Sequence, residues 1–118
     1  MARRMNRIST HVLDTAQGKP ARDVTVHLER QEANGKWAQL KSSRTDADGR
    51  CGQLLPEEAV LHPGIYRLSF DTGSYHAGQN IGSFYPVVEI SFQVCEGESH
   101  FHIPLLLSPN GYTTYRGS

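Results

Sequence analysis

Apolar residues recur at every second position through most of this chain, and that period admits half-buried strands and little else. In VTVHLERQ, Val24, Val26 and Leu28 point one way while Thr25, His27 and Glu29 point the other. GIYRLSF sets Tyr66, Leu68 and Phe70 against Arg67 and Ser69, and VVEISFQV sets Val88, Ile90, Phe92 and Val94 against Glu89, Ser91 and Gln93. HFHIPLLL sets Phe101, Ile103, Leu105 and Leu107 against His100, His102 and Pro104. Turn-forming clusters separate the runs: QGKP, ANG, DADG, HPG, EGES and SPNG. The pattern predicts strands near 7–14, 23–32, 37–44, 51–55, 64–70, 86–94, 100–107 and 111–116. It predicts one helix of one or two turns within 71–80, capped by Asp71 or Thr72 and kept short by its glycines. About eight short strands with regular turns make an all-β sandwich.

A chain of 118 residues makes one domain, 1–118, able to bury roughly 65% of its unfolded surface without staples. Residues 1–7 are expected to form a flexible N-terminal arm. Lysine plus arginine equals aspartate plus glutamate, 12 each, which excludes the basic excess that a nucleic-acid or acidic-membrane partner needs. Zero net charge instead favours self-association. The longest apolar runs, HIPLLLSP and YPVVEISFQV, are too short to span a bilayer, and MARRMNRISTHVLD has no apolar stretch of signal-peptide length. Cys51 and Cys95 fit no metal or redox spacing. Two free thiols in a reducing cytoplasm are expected.

Pro104 interrupts the pattern. A strand proline cannot donate to the ladder and belongs on an edge or at a bulge. It shares its face with His100 and His102, so that face is not ordinary core. His11, on the face of Ser9 and Leu13, and Arg50, after the DADG turn, complete the residues with chemistry to offer. His-x-His on one strand with His11 as a third ligand is a zinc alternative. DADG does not begin a calcium loop, because the sixth position from Asp46 is Cys51 rather than Gly. Ser9, His11 and Asp14 cannot form a triad, since His11 and Asp14 diverge on one strand. No phosphate-cradling glycine loop is present. Periodicity and spacing give a small neutral β domain with a histidine-bearing polar face, and no reaction.

Four segments together resemble the transthyretin-related family, in its enzymatic branch of 5-hydroxyisourate hydrolases. They are ISTHVLDTAQGKPARDVTVHL (8–28), TDADGRC (45–51), HFHIPLLLSPNGY (100–112) and the terminal YRGS (115–118). The first two are common in β-sandwich modules; the last two are specific, and in this family the YRGS ending separates hydrolase from hormone carrier. The resemblance implies a sandwich of two four-stranded antiparallel sheets with one short helix. It implies a homotetramer, a dimer of dimers, with sites in a channel at the dimer–dimer interface. It implies metal-free, cofactor-free hydrolysis of 5-hydroxyisourate in urate degradation, with no nucleic-acid or membrane partner. Carried over motif by motif, His11, Arg50, His102 and Ser118 would be catalytic, and Thr113, Tyr115, Arg116 and Gly117 would bind substrate. His100 is not in that set. Gly117 would let the chain end bend into the site. The segment DTGSYHAGQNIGSFYP (71–86) is more polar than the family's usual helix, which leaves the helix length open. The alternative function is a non-catalytic carrier of a small apolar ligand, which would call for an apolar channel.

Overall fold

The computed structural model describes residues 6–118, and two sheets face each other across an apolar core. Nine strands and one helix are present among them: β1 (Arg7–Asp14), β2 (Lys19–Pro20), β3 (Thr25–Gln31), β4 (Trp37–Arg44), β5 (Arg50–Cys51), β6 (Gly64–Phe70), α1 (Thr72–Ala77), β7 (Val88–Val94), β8 (His100–Ser108) and β9 (Gly111–Thr114). One sheet is ordered β4-β3-β6-β7. The other is ordered β2-β1-β8-β9, with β5 pairing β1. Of the arm expected over 1–7, residues 1–5 lie outside the described residues, and Arg7 already belongs to β1.

The alternation read from sequence sets the two faces. Val24, Val26, Leu28, Tyr66, Leu68, Phe70, Phe101, Ile103, Leu105 and Leu107 are buried, and Ile90 and Phe92 pack against them. Asp71 caps α1, its carboxylate accepting from the Ser74 backbone N–H at 3.2 Å.

Three expectations need correction. The sheets are not both four-stranded and antiparallel: one has five strands, and in it β1 and β8 run parallel, Arg7 opposite His100 through Asp14 opposite Leu107. The chain passes through the second sheet between these two strands, so no hairpin dictates their direction. The strand expected over 51–55 ends at Cys51. Leu54 and Leu55 are consecutive and both buried, which a strand with alternating faces cannot achieve. Pro104 is not on an edge strand, since β8 lies between β1 and β9. Its missing donor falls in a break in pairing instead. Alternate residues of a strand direct their backbone groups to the same neighbour, and His102 O accepts from Gly117 N at 2.7 Å. Pro104 therefore faces the last strand and has no N–H to give it. The β8–β9 ladder covers Leu105–Ser108 and returns as a single bridge, His102 to Gly117. This gap ends β9 at Thr114 rather than at 116.

Candidate active site

The site is built on the outer face of the β1–β8 sheet. Ile8, Thr10 and Val12 turn inward and are buried, so Ser9 and His11 turn outward. The registers do the rest. Ser9 lies opposite His102, His11 lies opposite Pro104, and on its other side His11 lies opposite Arg50 of β5. Three segments remote in sequence thus bring His11, Arg50 and His102 onto one face. A cleft of about 330 Å³ opens there, with Ser9, Arg50, His100, His102 and Ser118 among its walls.

Each histidine is fixed by one ring nitrogen. His102 Nδ1 is 2.8 Å from Ser9 Oγ, which leaves Nε2 for chemistry. Gly117 closes on the same ring: a Cβ at that position would come within 2.7 Å of His102 Cδ2. Glycine is needed there for close approach to the imidazole, not for the bend expected from sequence. His11 Nε2 donates to the Asp48 carbonyl at 2.8 Å. A carbonyl only accepts, so this nitrogen carries a proton and Nδ1 is the free one. Burial holds the His102 imidazole below its ordinary titration range, and the positive fields of Arg50 and His11 push the same way. A histidine in that state is neutral at neutral pH and can accept a proton.

The turn at 46–49 carries Arg50. Asp46 Oδ1 accepts from the backbone N–H groups of Asp48 at 2.9 Å and Arg50 at 3.0 Å. These bonds, that from Arg50 foremost, lower the Asp46 carboxyl below its usual range. Gly49 has φ of +77°, and a Cβ there would overlap the Val12 carbonyl oxygen. One turn therefore sets the position of Arg50 and holds the ring of His11.

The terminal residues divide. Ser118 reaches the cleft, and Gly117 lies against His102. Thr113 is exposed on the same outer face, opposite Leu106 and away from the cleft. Tyr115 and Arg116 instead line a second cavity of about 320 Å³ at the sheet edges, walled by Ile90, Phe92 and Phe101. Sequence reasoning set His100 aside, yet it stands at the cleft, and it did not pair Ser9 with His102. The signal for Ser9 was the strand register, which no local pattern reveals. Cys51 is buried and free, its thiol pushed up by that burial, and Cys95 is exposed and free. Among the described residues no group of three or more His, Cys, Asp or Glu side chains is placed to hold a metal ion. No helix among them is long and apolar enough to cross a membrane.

The comparisons with known proteins agree with one another. A sequence model described as the HIUase/Transthyretin family matches residues 8–117. A mouse (Mus musculus) protein named 5-hydroxyisourate hydrolase is 48% identical, with both chains covered completely. The solved structure of Klebsiella pneumoniae 5-hydroxyisourate hydrolase superposes with a TM-score of 0.83 at 38% identity, over 97% of this chain and 100% of that one. The crystal structure of transthyretin from Sparus aurata superposes with a TM-score of 0.86 at 35% identity, over 93% of this chain and 95% of that one.

Proposed function

On the premise that the chain belongs to the HIUase/transthyretin family, we propose that it hydrolyses 5-hydroxyisourate in urate degradation. Fold likeness does not choose between enzyme and carrier, because hydrolase and transthyretin superpose about equally well. The observation that carries the choice is the cleft: a neutral, oriented imidazole beside a guanidinium and a terminal hydroxyl. A carrier of an apolar ligand has no use for that set.

Water is a weak nucleophile at neutral pH, so a base must take its proton as it attacks. His102 Nε2 fills that role, with the Nδ1 proton held toward Ser9 Oγ. His11, with Nδ1 free, orients the water or relays the proton. The water oxygen adds to a ring carbonyl carbon, and the carbonyl oxygen becomes an oxyanion. Arg50 supplies fixed donors and a permanent charge for that oxygen or for the urate-like ring. Collapse breaks the ring C–N bond, the released nitrogen takes up the proton, and the product is the carboxylate 2-oxo-4-hydroxy-4-carboxy-5-ureidoimidazoline. The Ser118 hydroxyl bonds a polar ring edge, while Thr113 and Tyr115, which stand outside the cleft, take no part in this step. Neither step calls for a metal or cofactor.

The outer face is also where copies of the chain meet in this reading, as a tetramer that pairs two dimers across the sites. Exposed Phe84, Tyr85 and Tyr112 stack edge to face, an apolar cluster of the kind that marks an interface, and it suits a second contact off the outer face, since Tyr112 lies opposite the inward-facing Leu107. Two unpaired cysteines suit the cytoplasm as its compartment. Dialysis against a chelator tests the metal-free mechanism: the rate of 5-hydroxyisourate loss is expected to stay unchanged. Activity lost to the chelator and restored by zinc would contradict it.

A further inference from the structure

Arg116 belongs to the terminal run YRGS, yet its side chain turns away from the cleft that Ser118 lines. Its Nη2 donates to Glu98 Oε2 at 2.9 Å, and its guanidinium carbon stands 4.9 Å from the centroid of the Phe101 ring. Glu98 is itself held. Its Oε1 accepts from the Cys95 backbone N–H at 3.2 Å, in the turn between β7 and β8. The bond from Arg116, more than any other contact, lowers the Glu98 carboxyl below its usual range. Immediately beyond Arg116, Gly117 donates to His102 O and packs on the imidazole edge. The β8–β9 ladder is broken between Thr114 and Gly117, so side chains must guide the tail across that gap.

We infer that Glu98 is a positioning residue: reaching from the β7–β8 turn, its carboxylate latches Arg116 over Phe101 and so delivers Gly117 and Ser118 to His102. The arginine of the terminal run then acts on the tail and not on the substrate. Phe101 serves as the floor of the latch, the face of its ring giving the guanidinium a cation–π partner while the residue stays buried in the core. The effect on catalysis passes through the fraction of chains whose tail is docked, and it rests on the hydrolase reading above.

The test is a charge swap: wild type, Glu98→Arg, Arg116→Glu and the double variant. Two readouts are compared, hydrogen exchange of the C-terminal peptide that contains the Gly117 amide, and kcat/KM for 5-hydroxyisourate. Each single variant should exchange at least about threefold faster, the scale of one exposed ion pair replaced by repulsion, and should lose kcat/KM. Melting temperature should stay nearly unchanged, because the pair is exposed. The double variant should recover part of both losses, the remainder reflecting the missing contact with Phe101. Wild-type exchange in Glu98→Arg, an unchanged kcat/KM in an active enzyme, or a double variant no better than the worse single one would overturn the latch. The exchange measurement needs no substrate. If the swap pattern appears in a protein that does not accelerate 5-hydroxyisourate loss, the hydrolase reading falls while the docking role of Glu98 stands.

Discussion

As the proposed base His102 must be neutral, and its surroundings favour that state. Burial disfavours the imidazolium, and the positive charge of Arg50, joined by His11 when that ring is protonated, adds like-charge repulsion. The sign fixes the pH dependence. A base whose pKa is lowered stays unprotonated to more acidic pH, so the acid limb of kcat/KM should lie below the ordinary histidine value. Arg50→Gln removes one positive neighbour, so that limb should move to higher pH. The same change removes the proposed oxyanion donor and should cost about 100- to 1000-fold in kcat. A pH–rate profile of the variant that keeps its acid limb in place would show that Arg50 does not act on His102. His11, Arg50 and His102 were legible as single residues with chemistry to offer. Ser9 was not, because its contact with His102 depends on a parallel register between segments 93 residues apart.

At the scale of elements, the turn at 46–49 is the clearest joint between fold and site. Gly49 and Gly35 both have positive φ, +77° and +83°, but only Gly49 meets protein where a Cβ would stand. Gly35→Ala should cost about 1–2 kcal/mol from left-handed strain alone and leave the rate intact. Gly49→Ala adds overlap with the Val12 carbonyl, so it should cost about 1–3 kcal/mol more and also slow the enzyme, because the turn carries Arg50 and holds His11. Urea unfolding and steady-state rates on the two variants check this, and equal behaviour would contradict it. The turn was visible in the sequence as DADG, and most strands were visible as alternation. The loop after β5 and the early end of β9 were not. In both, tertiary packing overrides the local pattern: Leu54 and Leu55 are both drawn into the core, and Pro104 withholds a ladder bond from the last strand.

The whole molecule was legible as a sandwich because one-sided strands have few other ways to bury their faces. The parallel pairing of β1 with β8 was not, since alternation is blind to strand direction. At the chain end fold and activity are expected to separate. Tyr115 is 56% exposed, so removing Tyr115–Ser118 withdraws little apolar surface from the core. The truncated protein should lose at most about 2–3 kcal/mol of stability, while kcat/KM falls about 100-fold with the loss of Ser118 and of the ring contact at Gly117. Melting temperature, light scattering and kinetics on full-length and truncated protein check this together. Light scattering should give a tetramer for both, and an active monomer would contradict the shared-site assembly. The central claim, that the outer-face cleft with His102 as base opens the ring of 5-hydroxyisourate, is tested most directly by stopped-flow absorbance of freshly generated substrate. Wild type should accelerate its disappearance well beyond spontaneous decay. His102→Ala, with unchanged melting temperature and size, should lower kcat by about 100-fold or more, whereas His62→Ala, on an exposed loop, should match wild type. A wild-type protein that leaves the spontaneous rate unchanged, or a His102→Ala protein as fast as wild type, would contradict the account.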